Sequence, residues 1–250
     1  MIRVLQMIYS GWCALMFALM LLITLPFFLV FPLILGNKSL GPLIFLCKVV
    51  AYGFSFTTGI FYRFHDWKKV DKKRTYILIA NHRSNLDAPV AAATVWGRVK
   101  PIAKKELLKV PVLGPIMKRT SIIVDRSNKA SRLETMQQMQ QTIESGAHIF
   151  IFPEGTRNKT EDKNFIPFKD GAFNMAVQTQ TPLLPILFLN TDNLLPNKKP
   201  YMKPGICEIY YLPVVEVAGV TEADIPKLKE DVRTMMEETY IALKKKNNIL

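Results

Sequence analysis

Acidic side chains are absent from the first quarter of the sequence, where no Asp or Glu precedes Asp66. Charge of either sign is absent between Val4 and Asn37. This run is much longer than the roughly 7 to 15 apolar residues of a cleaved signal peptide, and no small-residue cleavage site follows it. We therefore expect the segment to be retained. Residues 12–35 are long enough to cross the roughly 30 Å hydrocarbon core of a bilayer as a helix.

A second apolar stretch, residues 40–62, contains Lys48 as its only charged residue. We therefore expect two N-terminal helices. The first is expected to bend, because Pro26 and Pro32 remove backbone hydrogen-bond donors. The pattern leaves open whether the helices span the bilayer or re-enter it from one side.

The distribution of basic residues predicts the orientation of the chain. Only Lys38 lies between the two apolar stretches, whereas six basic residues occur in residues 63–74. The positive-inside rule therefore places the chain after residue 63 on the cytoplasmic side of the cell membrane. We divide the sequence into membrane-associated helices, residues 1–64, and a body, residues 65–250.

Cysteine is scarce, and Cys13, Cys47 and Cys207 have neither the spacing of a disulfide framework nor that of a metal site. The sequence also lacks the CxxC, HExxH and G-x-S-x-G motifs. We therefore expect no structural disulfide, no metal and no serine nucleophile elbow. The cysteine usage agrees with a reducing compartment.

The formal net charge of +13 points to an anionic partner. Beside an apolar anchor, anionic lipid headgroups are the simplest one, since each nearby Lys or Arg contributes about 1 kcal/mol at such a surface. Nucleic acid is the alternative, but no helix-turn-helix, zinc-finger or aromatic RNA-binding signature accompanies the charge. We predict a phospholipid membrane as a partner, and no nucleic acid.

After residue 74, short β-branched runs alternate with helical patterns, which is typical of an α/β domain. Strands are predicted at residues 75–80, 121–124, 148–152, 182–189 and 206–212. A helix is predicted after the capping-box pattern Ser131-x-x-Glu134 and before Gly146. Apolar residues at helical spacing predict a C-terminal helix between Ile225 and Leu243.

A polar segment from Asn81 to Asp87 directly follows the first predicted strand, and it contains His82. Asp87, at the start of a helix, can hydrogen-bond to the imidazole ring. Such a pairing fixes the tautomer and stabilises the imidazolium form, which suits a general base acting on a hydroxyl. The alternative is that Ser84-x-x-Asp87 is only a capping box and His82 a loop residue.

A second polar cluster, Pro153-Glu154-Gly155-Thr156-Arg157, follows the strand predicted at residues 148–152. Gly155 permits close backbone approach, Thr156 supplies a hydroxyl, and Arg157 offers a fork suited to phosphate. A tight turn with a solvated arginine is the alternative. Asp125-Arg126 ends another predicted strand. Because ligands of open α/β sheets bind at the carboxyl ends of strands, we expect an anion site there.

These residues resemble the sequence blocks of the glycerolipid acyltransferases. Residues 81–87, the first block, match the pattern NHxxxxD, and residues 152–157, the third block, match FPEGTR. Residues 122–126 and 182–186 are similar to the second and fourth blocks. Four blocks in the expected order are a highly specific signal, and with its apolar N-terminus the chain looks like the bacterial 1-acyl-sn-glycerol-3-phosphate acyltransferases. The expected fold is α/β, with a central mixed sheet flanked by helices and preceded by a membrane-anchoring helical segment.

The resemblance implies transfer of an acyl group to the sn-2 hydroxyl of lysophosphatidic acid, giving phosphatidic acid. His82, oriented by Asp87, would remove the hydroxyl proton as the oxygen attacks an acyl thioester. The donor would be acyl-coenzyme A or acyl carrier protein, with no other cofactor. Direct transfer is expected, without an acyl-enzyme.

The resemblance also implies where the acceptor binds. Its phosphate is expected near Gly155 and Arg157, beside the hydroxyl of Thr156. Glu154 would position the glycerol end or the neighbouring loop. Secondary candidates for the same anion are Arg126, Lys104 and Lys105, although a Lys-Lys-Glu sequence at a helix start is usually a solvated face.

The sequence departs from the family pattern at two places. Thr120 or Ser121 stands where a glycine often precedes the second block, and Asn158 follows Arg157 where serine is common. These departures leave the exact acceptor open, so an acyltransferase for another lysophospholipid, such as lysophosphatidylglycerol, is the first alternative. A non-catalytic membrane protein that binds anionic lipids through Arg157 and the lysines is the second.

Overall fold

The computed structural model describes residues 2–125, 129–160, 162–198 and 201–249. The helices are α1 (Ile2–Leu35), α2 (Leu40–Thr58), α3 (Asp87–Thr94), α4 (Leu113–Thr120), α5 (Lys129–Glu144), α6 (Gly171–Thr179), α7 (Thr191–Leu194) and α8 (Ile225–Lys246). The strands are β1 (Ile60–His65), β2 (Ile77–Ala80), β3 (Val99–Lys104), β4 (Ile122–Val124), β5 (His148–Ile151), β6 (Leu183–Leu189) and β7 (Gly205–Tyr211). The predicted strands and the predicted C-terminal helix are confirmed.

Within the described residues the strands form one seven-stranded sheet, in the order β1-β7-β6-β2-β5-β3-β4. β6, β2, β5, β3 and β4 are parallel, whereas β7 is antiparallel to β6, and β1 is parallel to β7. The predicted α/β fold with a central mixed sheet is therefore confirmed. The carboxyl ends of the parallel strands and the amino ends of β1 and β7 meet at one side, which we call the carboxyl edge.

Helices cover both faces of the sheet, because successive side chains of a strand point to opposite sides. Leu78 and Ala80 of β2 pack in an apolar cluster with residues of α2 and α3. Ile77 and Ile79 pack in a second cluster with residues of α6 and α8. Such burial on both faces is typical of parallel strands. The carboxyl edge is where this domain presents polar side chains.

α1 and α2, joined by a short turn at Gly36–Ser39, form an antiparallel helical hairpin. Tyr9 and Trp12 of α1 donate hydrogen bonds to the carbonyl oxygens of Thr58 and Thr57, which end α2. Both helices are long and apolar enough to cross a membrane, as predicted. The hairpin fits a membrane association of the protein.

The two helices of the hairpin differ in exposure. α1 continues through Pro26 and Pro32, and large hydrophobic side chains such as Ile8, Phe27 and Leu33 are exposed. α2 instead has buried residues from its first turn to its last, and several of them pack in the cluster on the sheet. α2 therefore belongs to the wall of the domain, while α1 presents the exposed apolar surface.

The predicted helical stretch over residues 40–62 was too long. α2 ends at Thr58, Gly59 takes a left-handed φ of 68°, and β1 begins at Ile60. The cause is tertiary, because β1 pairs with β7 from the far end of the chain. The division proposed at residue 64 falls inside β1.

β3 was not predicted, and the start of α5 was predicted wrongly. β3 contains Pro101, which lies in the half of the strand that pairs with β5 but not with β4, where a missing N–H is tolerated. α5 begins at Lys129, so Ser131 lies inside the helix and is not its N-cap.

Candidate active site

The first block is fixed at the end of β2 by its asparagine. The side chain of Asn81 is fully buried, donates to the carbonyl oxygen of Phe188 at 2.9 Å and accepts from the Phe188 N–H at 2.8 Å. A side-chain amide thus continues the pairing of β2 with β6 for one more step. His82 consequently leaves the sheet from a defined position.

His82 and Asp87 form a hydrogen-bonded pair at the carboxyl edge. Nδ1 of His82 lies 2.7 Å from Oδ2 of Asp87, and the exposed side-chain fractions are 22% and 0%. The same carboxylate oxygen accepts the backbone N–H groups of Arg83 and Ser84, both at 2.7 Å. The aspartate therefore folds the loop and orients the ring at once. The capping box considered as the alternative is not formed, because α3 begins at Asp87 itself and the Ser84 hydroxyl donates to the carbonyl oxygen of Leu195.

The geometry defines which ring nitrogen is available. The carboxylate of Asp87 can only accept a hydrogen bond, so Nδ1 of the neutral ring carries the proton and donates it. Nε2 therefore keeps its lone pair. Within the described residues Nε2 has no hydrogen bond, and the ring stacks on Phe152 with centroids 4.1 Å apart. A partly exposed base backed by a buried carboxylate is suited to take a proton from a hydroxyl.

Glu154 connects the third block to the first. Its side chain is buried, and Oε1 accepts the backbone N–H of His82 at 2.8 Å, while Oε2 lies 3.4 Å from the N–H of Ile166. Burial raises the pKa of Glu154 to about 7, and the two backbone donors offset part of that rise. This geometry favours the loop-positioning role of Glu154 over contact with a bound acceptor.

Arg157 lies next to the histidine loop. Its Nη1 donates to Oδ1 of Asn85, whereas its Nε is buried without a hydrogen-bond partner within the described residues. Gly155 takes a left-handed φ of 72° in a turn in which its N–H donates to the carbonyl oxygen of Phe152, and Thr156 is exposed. The guanidinium is therefore fixed beside the histidine loop through its bond to Asn85.

The remaining predicted residues lie farther along the edge or outside the described part. Lys104 is exposed at the end of β3, and Lys105 pairs with Asp125 at 2.9 Å. In the described ranges neither lysine bonds to the first or third block. Arg126 lies outside the described residues.

Three polar residues of the site, Arg83, Asp192 and Asn197, had no role in the sequence-based prediction. Arg83 is 9% exposed, and its Nε donates to Asp192 at 2.7 Å. Asn197 donates to the carbonyl oxygens of Arg83 and Asn158, at 2.7 and 3.1 Å. Arg83 lies inside the recognisable first block, so the sequence could have indicated its place in the site. Asn197 lies in a polar loop whose sequence indicates no such place.

Two cavities of about 400 Å³ each adjoin these blocks. The Arg157 cavity is lined by Asn85 and Arg157 together with Ser10, Ala14, Leu195 and Met202. The Arg83 cavity is lined by Arg83, Lys159, Asp192 and Lys203, with Gln6 and Tyr201. Residues 196–198 line both cavities and separate them.

The Arg157 cavity is bordered by Asn85 of the histidine loop, by Arg157 and by the apolar helix α1. The α/β fold, the histidine–aspartate pair and the apolar hairpin fit a membrane-associated enzyme that uses a histidine base. Sequence comparison agrees, since the Acyltransferase family model matches residues 62–189, about half of the chain. The chain belongs to this acyltransferase family.

Curated relatives carry a more specific name. The 1-acyl-sn-glycerol-3-phosphate acyltransferase alpha of Mus musculus is 35% identical over 164 residues, which are 64% of this chain and 57% of the mouse protein. The chain thus spans less than two thirds of that relative. The 1-acyl-sn-glycerol-3-phosphate acyltransferase of Haemophilus influenzae is 31% identical over 180 residues, 71% of this chain and 72% of that protein.

A solved structure shares the fold. The crystal structure of the 1-acyl-sn-glycerophosphate (LPA) acyltransferase PlsC from Thermotoga maritima matches with a TM-score of 0.75 and covers 98% of each chain. Sequence identity in this match is 21%. The similarity therefore extends over the helical hairpin as well as the sheet.

Proposed function

We propose that the protein transfers an acyl group from a thioester to the sn-2 hydroxyl of lysophosphatidic acid and so forms phosphatidic acid. The observation that carries the proposal is the hydrogen bond of 2.7 Å between His82 and the buried Asp87. The names of the curated relatives support the same reaction. The donor would be acyl-coenzyme A or acyl carrier protein, and the residues need no further cofactor.

The proposed reaction is a direct transfer. Nε2 of His82 takes the hydroxyl proton as the oxygen attacks the thioester carbonyl, which forms the new C–O bond and a tetrahedral oxyanion. Collapse of the oxyanion breaks the C–S bond, and the imidazolium returns its proton to the departing sulfur. The carboxylate of Asp87 stabilises the imidazolium between these two steps.

The acceptor would bind in the Arg157 cavity. Its phosphate would bind the guanidinium of Arg157, which lines the cavity, since a guanidinium is well matched to phosphate oxygens. Ala14, Leu195 and Met202 give the same cavity an apolar wall for the acyl chain. Holding the acceptor at the membrane surface avoids a cost of about 0.8 kcal/mol for each methylene exposed to water.

We further propose that the body lies on the cytoplasmic side of the cell membrane. The basic residues after residue 63 support this orientation. A protease-cleavable tag at the C-terminus would be removed in inverted membrane vesicles and protected in intact cells. The reverse pattern would overturn the assignment of the side.

Transfer of a labelled acyl group to lysophosphatidic acid, in vesicles and with both donors supplied, tests the reaction. We expect His82→Ala to lower kcat by about 100-fold or more at every acceptor concentration. Arg157→Ala should raise KM for the acceptor about tenfold, through loss of a charge-assisted hydrogen bond.

Two outcomes would contradict the proposal. Full activity of His82→Ala would remove the proposed base. Wild-type activity on lysophosphatidylglycerol but not on lysophosphatidic acid would retain the base and replace the acceptor.

A further inference from the structure

The Arg83 cavity takes no part in the reaction proposed above, yet its lining is strongly cationic. Arg83, Lys159, Lys198 and Lys203 line it, against the single carboxylate of Asp192 among the described residues. The volume of about 400 Å³ is enough for a small anionic group rather than an isolated water.

The carboxylate in the cavity does not cancel its charge. Asp192 accepts the Nε donor of Arg83, and the Nη1 of Arg83 donates to the carbonyl oxygens of Lys163 and Asn164, at 2.8 and 2.9 Å. The arginine is thus held rigidly and offsets Asp192. Lys159 and Lys203 are exposed and make no ion pair in the described part of the chain. The cavity therefore keeps a positive charge for an incoming anion.

The two cavities differ in the number of cations that line them. The Arg157 cavity has Arg157 and Lys198, whereas the Arg83 cavity has Arg83, Lys159, Lys198 and Lys203. Asn197, in the wall between them, is fixed by its bonds to the carbonyl oxygens of Arg83 and Asn158. The Arg83 cavity therefore offers an incoming phosphate more cationic groups than the Arg157 cavity does.

We propose that the Arg83 cavity binds the phosphate-bearing head of the acyl donor, the phosphopantetheine group common to coenzyme A and acyl carrier protein. The proposal rests on the proposed function. A flexible arm separates this phosphate from the thioester, so its site must lie beside the histidine loop rather than on it. Lys159 and Lys203 lie outside that loop and supply such a position, and Arg83 joins the cavity to the loop. Acceptor and donor would then approach from opposite sides of residues 196–198.

The variant Lys159→Gln/Lys203→Gln removes two cations without removing the buried arginine. We expect KM for the donor to rise about tenfold, with kcat and KM for lysophosphatidic acid unchanged, because only charge-assisted contacts with the donor are lost. Lys245→Gln/Lys246→Gln, at the exposed end of α8, removes the same charge elsewhere and should leave all three constants unchanged.

Assays with each of the two acyl donors identify the group that the cavity binds. Equal rises in KM for acyl-coenzyme A and acyl carrier protein support the shared phosphopantetheine phosphate. A rise for acyl-coenzyme A alone overturns the shared phosphopantetheine site and assigns the cavity to the phosphates of the nucleotide end of coenzyme A. An unchanged donor KM, or a rise in KM for lysophosphatidic acid instead, overturns the proposal.

A binding measurement separates this proposal from the proposed function. Free coenzyme A is titrated calorimetrically into His82→Ala protein, with and without the two lysine substitutions. About tenfold weaker binding in the lysine variant supports the cavity even if wild type fails to acylate lysophosphatidic acid. Equal binding in both proteins overturns the cavity assignment even if wild type is fully active.

Discussion

One carboxylate oxygen of Asp87 accepts three hydrogen bonds. Oδ2 accepts from His82, Arg83 and Ser84, so the charge that supports the base also closes the loop that presents it. An asparagine can accept the same three donors through its amide oxygen but bears no charge. Replacement by asparagine therefore separates electrostatics from geometry.

We expect Asp87→Asn to lower kcat by about 100-fold or more while KM for the acceptor stays close to wild type, because imidazolium stabilisation is lost and the loop remains. Steady-state kinetics with lysophosphatidic acid measures both constants. Asp170→Asn, which removes an exposed carboxylate paired with Lys229, is the matched control. A variant with normal kcat would show that the charge of Asp87 has no part in turnover.

Glu154 predicts a pH dependence of stability. Its pKa of about 7 in the folded protein lies above the ordinary value of 4.5, so folding favours the protonated carboxyl. The associated stabilisation is complete below pH 4.5 and is lost as the pH rises through 7, amounting to about 3 kcal/mol at most.

Thermal melting in detergent from pH 5 to pH 8 tests this expectation. The Tm of wild type should fall relative to that of Glu154→Gln as the pH rises, since glutamine cannot ionise. Glu238→Gln, at an exposed position of α8, serves as the control for loss of a carboxyl. Parallel curves for wild type and Glu154→Gln would show that this carboxyl does not titrate in the range.

The sequence predicts some contacts of the site and not others. His82 and Asp87 are five positions apart, so local geometry alone brings them within hydrogen-bond distance. The bond from the His82 N–H to Glu154 joins positions 72 residues apart. Asn197 bonds to a loop more distant still and belongs to no recognisable motif. Only the folded chain shows that these groups support one loop.

At the scale of elements, α4 depends on a glycine near its start. A Cβ at Gly114 would lie 2.2 Å from the carbonyl oxygen of Leu108, a backbone atom that cannot move alone. α4 also carries Ile116, which packs with Phe28 of α1 and Leu43 of α2. Displacement of α4 would therefore disturb its packing against both helices of the hairpin.

We expect Gly114→Ala to lower the unfolding free energy by about 2 kcal/mol through overpacking. Gly171→Ala is the matched control, because a Cβ there meets nothing within 4 Å at the first residue of α6. Melting temperatures of both variants measure the difference. A Tm for Gly114→Ala equal to that of the control would show that the 105–114 segment adjusts freely.

The success of the sequence-based assignments also varied by element. Continuous apolar runs such as β6 were predicted because their burial is visible in the residues themselves. β1 was merged with the preceding helix, since its apolar residues satisfy either pattern until β7 is present to pair with it. β3 was missed because Pro101 and its lysines do not resemble an inner strand.

At the scale of the whole molecule, charge and exposed apolar surface act together. The chain carries a net charge of +13, and α1 exposes large hydrophobic side chains. Screening by salt weakens the attraction to anionic headgroups but leaves apolar insertion largely intact. The two contributions can therefore be separated by ionic strength.

We expect the protein to float with both neutral and anionic vesicles, and to prefer anionic ones at low salt. At about 1 M salt the preference should disappear while binding to neutral vesicles persists. Flotation assays measure both quantities. Complete release from neutral vesicles would contradict an anchoring role for α1.

The pairing of β1 with β7 has a consequence for synthesis. β1 directly follows the helical hairpin, yet Ile60 has its partner at Gly205, so most of the chain must leave the ribosome before this strand can be hydrogen-bonded. Until then an apolar hairpin and an open strand edge are exposed together, a combination prone to aggregation. Early capture of the nascent hairpin by a bilayer would shield its apolar surface. It would also hold the open edge of β1 away from other chains.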